Sequence, residues 1–278
     1  MRYAAIGLAV VLALALAWRG IRWTLTPEGA PPGEIAASYS PLAAGALPDG
    51  DARNAGWQND FNVAISSAEQ DVADGELGAG EIAVDRAEAV LTTERLIGAS
   101  ANPEFFEPAL AALDRLANRK PPDARLFEHV TLTRIALAEL QSSLNAEPVE
   151  PAGARRVAVG SPRQVAAGES IDPSSFNAPI LDASLMPETS EILMPPSSRT
   201  LKDGVLVSNL VVQGAAQTLD GIRWRNVTFV GTRLRYQGGE LDLQNVRFVR
   251  CRFGFVTDAR GASLANAIAQ GKTSIQIP

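Results

Sequence analysis

Apolar residues recur along this chain with changing period, and the changes of period divide it. From Tyr3 to Trp18 there is no period, only sixteen residues without a charge. As a helix such a run spans ~24 Å, a little short of a ~30 Å hydrocarbon core. Arg19 and Arg22 can snorkel and extend the usable length to Leu25, while Trp18 and Trp23 suit an interfacial belt. The pattern predicts a single-pass transmembrane anchor over residues 1–25, contacting lipid through residues 3–25. A cleaved signal peptide is the alternative, but the bulky, charged stretch from Trp18 to Trp23 lacks a small-x-small cleavage site. The flanking charges scarcely orient the span. The Arg2-plus-apolar start resembles an export signal, which favours a body on the periplasmic side of a bacterial inner membrane.

Residues 26–55 carry Pro27, Pro31, Pro32, Pro41 and Pro48 without a period and read as an extended stalk. A helical period then governs 56–145. Trp57, Phe61, Ala64, Ala68 and Val72 form one stripe. Gly75, Gly78 and Gly80 interrupt it, and Ala83, Ala87, Val90 and Ile97 form a weaker second stripe. Asn102-Pro103-Glu104 is an N-cap, first-position proline and first-turn acid, followed by Phe106, Leu110, Leu113, Leu116 and Ala117. A fourth helix, from about Asp123 to Asn145, carries Leu126, Val130, Thr133, Leu137, Leu140 and Leu144 at heptad-like spacing. Four stripes with short connections predict a small antiparallel bundle. The fourth seam could instead serve a partner helix. Residues 146–200 hold eight prolines and one short strand candidate, Arg155–Val159. They read as a linker or as a ribbon wrapping the next domain.

From Gly204 the period becomes two, and the pattern repeats. Three segments align on Asn209, Asn226 and Asn245, which lie 17 and 19 residues apart. Stacking them in parallel predicts inward columns Val205/Ile222/Leu241, Val207/Trp224/Leu243, Leu210/Val227/Val246 and Val212/Phe229/Phe248. The asparagines would form a ladder at a bend, with Arg223 beside Asp242 outside. Val227-x-Phe229, Thr232-x-Leu234, Val246-x-Phe248 and Cys251-x-Phe253 resemble right-handed β-helices of the pentapeptide-repeat type. The resemblance covers residues 204–256 only, and its pentads are degenerate. It implies a scaffold or binding surface, or in longer relatives polysaccharide cleavage, and settles no function. An antiparallel meander is the alternative for 201–278. The expected fold class is thus α+β: an N-terminal transmembrane helix, a helical bundle and a short C-terminal parallel β-helix, with 257–278 as its cap.

Composition changes this picture in two ways. Of the net charge of −6, residues 201–278 contribute +5 and the rest −11. Arg223, Arg225, Arg233, Arg235, Arg247, Arg250 and Arg252 fall at outward positions, making them candidates for binding a polyanion such as anionic lipid or acidic glycan. Few aromatics are interleaved with them, which argues against nucleic acid. Arginine outnumbers lysine 22 to 3, a usage resembling that of GC-rich bacterial genomes.

Catalytic chemistry is sparse. A single cysteine, Cys251, and a single histidine, His129, leave no disulfide framework, thiolate or histidine metal site, or Ser-His-Asp arrangement, and no cofactor motif is found. Gly271-Lys272-Thr273 lacks the upstream glycine of a P-loop. Asp220, Glu240 and Asp242 are the acids left for a carbohydrate-active site. The expected function is accordingly a membrane-anchored structural or interaction protein with no catalysis, displaying a helical and a β-helix docking surface to an unknown protein partner. Polyanion binding through the arginine face is the alternative.

Overall fold

The helical period breaks where glycine and proline break it. In the computed structural model, which describes residues 50–145, 153–158, 161, 163–171, 179–184, 186, 191–194, 200–201 and 204–278, α1 spans Gly50–Ala73, α2 Leu77–Ile97, α3 Phe106–Ala117 and α4 Ala124–Leu144. Asn102 accepts from the Glu104 amide (3.1 Å) and opens a 3₁₀ turn at Pro103–Phe105 that leads into α3. Asp123 caps α4 by accepting from the Leu126 amide (2.9 Å). Helix α1 begins inside the stretch read as stalk. Its predicted stripe, Trp57 to Val72, is buried.

The second stripe is corrected. Gly80, Val84, Ala87 and Leu91 are the buried positions of α2, whereas Ile97 is 61% exposed. Glycine decides the register: a Cβ at Gly80 would stand 2.5 Å from Cγ2 of Val72, so this side of α2 is the one that approaches α1 closely. Helix α4 shows little amphipathicity because it is surrounded. Its seam is buried from Leu126 to Leu140, with Leu144 half-buried, but so are Thr131, Arg134, Ile135, Ala136 and Ala138 on other sides.

The chain from Arg156 onward builds a mostly parallel sheet. Short strands come first: β1 Arg156–Ala158, β2 Arg163–Gln164, β3 Ser170–Ile171, β4 Ile180–Asp182 and β5 Leu193–Met194. Three long-plus-short pairs follow: β6 Val205–Gln213 with β7 Ala216–Thr218, β8 Ile222–Val230 with β9 Arg233–Tyr236, and β10 Leu241–Val249 with β11 Arg252–Phe255. Helix α5 (Ala259–Ala269) and strand β12 (Ile275–Ile277) end the chain. The main sheet runs β1-β4-β6-β8-β10-β12, and a second runs β11-β9-β7.

Pairing within the long strands is parallel, which removes the meander alternative. Val205 faces Ile222, Val207 faces Trp224, Leu210 faces Val227 and Val212 faces Phe229. Leu243, Val246 and Phe248 continue the last three columns, and all these side chains are buried. Each long strand bends at its asparagine, where φ is 55° (Asn209), 53° (Asn226) and 53° (Asn245). Asparagine tolerates this left-handed conformation better than most residues. The amides form a ladder, Asn245 donating to Asn226 and Asn226 to Asn209, each at 3.0 Å.

A coil here is a long strand bent at a left-handed asparagine plus a short strand, repeating after 17 and 19 residues, which is no multiple of five. Of the two readings of 146–200, the described residues follow the ribbon: β1 and β4 extend the main sheet, and Leu193 of β5 pairs with the buried amide of Gln217 (both bonds 2.9 Å).

The fold is therefore mixed α/β, with five helices and a mostly parallel sheet among the described residues. Residues 50–278 form one compact unit. The expectation of a transmembrane helix, and with it a single-pass membrane location and periplasmic body, is withdrawn. Among the described residues no helix is long and apolar enough to cross a membrane. The span assigned to the anchor, 1–25, and most of the stalk lie outside the described residues.

The stack is closed at one end chiefly by α4. Ser142 O accepts from the Arg250 amide (2.9 Å) and Ser142 Oγ from the Cys251 amide (2.7 Å). Asn145 Nδ2 donates to Phe248 O (2.5 Å), and Glu139 Oε1 accepts from the Phe253 amide (2.8 Å). These bonds satisfy strand-edge groups that would otherwise be orphaned. Farther along the edge, β12 pairs antiparallel with Leu241–Leu243, so residues 257–278 supply only part of the cap. Helix α5 is held to α3 and α4 through Asp114, which accepts from Arg134 (2.5 Å) and Asn266 (3.4 Å).

Candidate anion-binding face

Period-two alternation directs the arginine side chains of the strands away from the columns. Arg223, Arg225, Arg247, Arg250 and Arg252 are exposed, and Arg233 and Arg235 are half-buried. The seven do not share one surface. Arg223 and Arg225 precede the asparagine bend of β8, Arg247 follows the bend of β10, and Arg233, Arg235 and Arg252 lie on the β11-β9-β7 sheet.

Their local partners differ. Arg223 is in register with Asp242 as expected, but its guanidinium donates to Gly204 O (3.4 Å), while Asp242 accepts from Gln244 (3.1 Å) and Gln276 (3.4 Å). Arg225 donates to Gln244 Oε1 (3.1 Å). Arg235 lies 3.9 Å from Glu191, which also accepts from the Thr218 hydroxyl. Arg233 and Arg252 face each other in register across β9 and β11. Together with Arg250 they line a groove of about 430 Å³, with Ser184, Met186, Gly214, Ala215 and Gly231.

The acids considered for glycan cleavage are engaged structurally. Asp220 is buried and accepts from the amides of Gln237 (2.9 Å) and Gly239 (2.6 Å), fixing the turn after β9. The neighbouring Tyr236 hydroxyl donates to Gly239 O (2.8 Å); burial first, and then the charge of Asp220, push its pKa up to about 12. Glu240 accepts from the Leu201 amide (2.7 Å). Among the described residues no group of three or more His, Cys, Asp or Glu side chains is placed to hold a metal ion.

His129 lies half-buried on α4, 2.5 Å from Asp85 of α2. Cys251 is fully buried beneath the α4 cap, and burial pushes its thiol up to about 12. Glu139 is held above the usual carboxylate range, first by burial, against the opposing pull of the Phe253 amide, Arg95 and Arg252. Its carboxylate pairs with Arg95 Nε at 3.2 Å.

Sequence reasoning missed the groove and the cap. The groove had a signal: five residues after each asparagine stand Gly214, Gly231 and Arg250, all at positive φ (74°, 57° and 52°). This column of corners was present in the alignment of the repeats. The cap had none, because Glu139 and Ser142 sit on a helix whose periodicity explains them as surface residues, with Asn145 at its end. Comparison of the chain with protein-family models, curated proteins and solved structures gives no match at a significant level.

Proposed function

We propose that this chain is a non-catalytic binding protein whose arginine-bearing strand faces engage an acidic glycan. The observation that carries this reading is the in-register stacking of cationic positions on successive coils, Arg252 on Arg233, on a regular and well-packed support. Charges repeated along a stack suit a polymer with repeated anionic units. The distribution of the arginines over separate faces favours a flexible chain over a flat lipid surface, which would meet one face at a time. The fourth helix is taken up internally: its seam from Leu126 to Leu140 is buried within the chain and its polar residues close the strand stack, so the arginine faces carry the docking role.

The test is binding of the full chain to a sulfated or uronate-rich glycan across a salt series. Affinity should fall steeply between low and physiological ionic strength, as screening of exposed charges requires. Binding that is flat across the series, or no binding at low salt, would refute the reading. Stronger binding to anionic vesicles than to any glycan would shift the partner to lipid.

A further inference from the structure

We infer that the outer face of the main sheet, where β8, β10 and β12 lie side by side, holds a site for one uncharged sugar unit bound through its hydroxyl groups. This goes beyond the polyanion reading, because it requires matched hydrogen bonds and no excess of charge. An open hollow of about 630 Å³ there is lined by Arg225, Asp242, Gln244, Asn245, Ser274 and Gln276, among others. All of these lie within 204–278, which is described without a break.

The polar side chains are fixed in advance. Strand register sets Arg225 beside Gln244 and Asp242 beside Gln276. Gln244 then bridges the two charges. Its Oε1 accepts from Arg225 Nε (3.1 Å), and its Nε2 donates to both Asp242 oxygens (3.1 and 3.3 Å). Gln276 donates to the same carboxylate (3.4 Å). Side chains locked to one another on a packed sheet bind without first having to be ordered. The charges of the lining also balance, since Arg225 is its one cation and Asp242 its one anion. The hollow therefore favours neither sign, and an uncharged ligand suits it.

Donors and acceptors both remain open. Arg225 uses only Nε, so the two terminal nitrogens of its fork have no partner among the described residues. Ser274 Oγ accepts from the Asn245 amide (3.3 Å), which leaves its own O–H to donate. Asn245 ends the asparagine ladder: its Nδ2 donates to Asn226, but no described residue donates to its Oδ1. Successive amide bonds polarise one another, so this terminal carbonyl is a strengthened acceptor.

A hydroxyl both donates and accepts, and a sugar ring offers several at fixed spacing. A guanidinium, amide or carboxylate presents two polar atoms side by side in one plane, which matches two neighbouring hydroxyls. None of the lining residues is aromatic, so ring stacking adds nothing. Binding should accordingly be weak, with a dissociation constant of about 1 mM.

The experiment titrates the full chain with maltohexaose, cellohexaose and mannohexaose, and with sorbitol as an acyclic control, followed by NMR of the amide groups. At least one oligosaccharide should shift the signals of Gln244, Asn245 and Gln276. Its affinity should change less than about twofold between low and physiological salt, since no net charge is engaged. Gln244→Leu removes the bridge at similar volume and should weaken binding about tenfold. Gln276→Ala, at an exposed position of β12, should weaken it about threefold, which keeps the test decisive if the leucine variant fails to fold. Arg247→Ala, beyond the bend of β10 and outside the hollow, should leave it within about twofold. No shift at these residues with any of the three oligosaccharides, equal affinity for sorbitol, or equal losses from Gln276→Ala and Arg247→Ala would overturn the site. Neutral sugar bound without any acidic glycan would leave this site standing and remove the polyanion reading. Acidic glycan bound without any neutral sugar would do the reverse.

Discussion

The two ends of the strand stack meet the same hazard in opposite ways. An unpaired strand edge offers amides and carbonyls to any passing chain. At the β10–β11 end the edge is long and covered: Glu139 and Ser142 of α4 and Asn145 at its C-terminus bond directly to Phe253, Cys251, Arg250 and Phe248, and β12 pairs with Leu241–Leu243. At the other end the described strands are two or three residues long, and β1 is exposed throughout. That edge is short and charged. Arg156 lies 3.6 Å from Asp182, and among the described residues of β1 Val157, 42% exposed, is the one large apolar side chain. One end is protected by specific partners and the other by offering little to pair with. The first arrangement is sensitive to single atoms and the second is not.

Truncating the shared core should do most damage and ignore the distinction. Phe229 is fully buried, stacked on Phe248 at 5.8 Å and edge-on to Trp224 at 5.0 Å. Phe229→Ala should cost about 3–5 kcal/mol in denaturant unfolding. A loss below about 1 kcal/mol would mean that the columns are not the core.

Glu139→Ala removes the partner of the Phe253 amide and should cost about 1.5–3 kcal/mol, the range for hydrogen bonds to charged groups. Its more telling readout is local. Cys251, buried beneath the cap and bonded through its amide to Ser142, should be inert to thiol reagents in the native chain and become reactive in this variant well below the unfolding midpoint. Reactivity that rises only with global unfolding would show that the closed end does not open separately.

The bend asparagines come next. Asn226→Ala loses two ladder bonds and places alanine at φ 53°, which should cost about 1–2 kcal/mol. Asn226→Gly should recover part of that, because glycine relieves the backbone term alone.

Glu139 also gives the comparison a pH dependence. Burial raises its folded pKa above the usual value of 4.5. The folded state thus binds the proton more tightly than the unfolded chain, and this contribution to stability is fully present below about pH 4.5 and is lost as pH rises through the raised value. Glu139→Gln, which can still accept from the Phe253 amide, should flatten that part of the stability–pH curve. An unchanged curve would assign the dependence elsewhere.

The smallest effect belongs to the open end. Val157→Thr should shift stability by no more than about 0.5 kcal/mol. A larger loss would show that β1 carries packing its exposure hides.

What was legible in the sequence was whatever repeats locally. The stripes from Trp57 and from Phe106 and the four columns follow from period alone, since a side chain pattern of 3.6 or 2 selects one face. The stripe of α2 was misplaced because alanine and valine occupy both candidate faces, and the choice falls to Gly80, whose contribution is a missing atom. Helix α4 read as a seam because periodicity cannot reveal that a helix is enclosed on its other sides. The arginines were found individually, since outward positions follow from alternation. Their grouping depends on which coil stacks on which, and on a corner residue in a conformation that no sequence period reports.

The cap has a consequence for the order in which the molecule is made. Glu139, Ser142 and Asn145 reach partners 114, 109 and 103 residues farther along the chain. The helix that closes the last coil is therefore synthesised before any of the long strands it will serve, and helices form far faster than non-local parallel pairings. During translation, a finished template waits for a strand edge that does not yet exist. Closing so long a loop is governed by chain entropy that grows only logarithmically, by about 0.6 kcal/mol per doubling of length. Added chain between the template and its edge should thus delay closure while leaving the closed state nearly as stable as before.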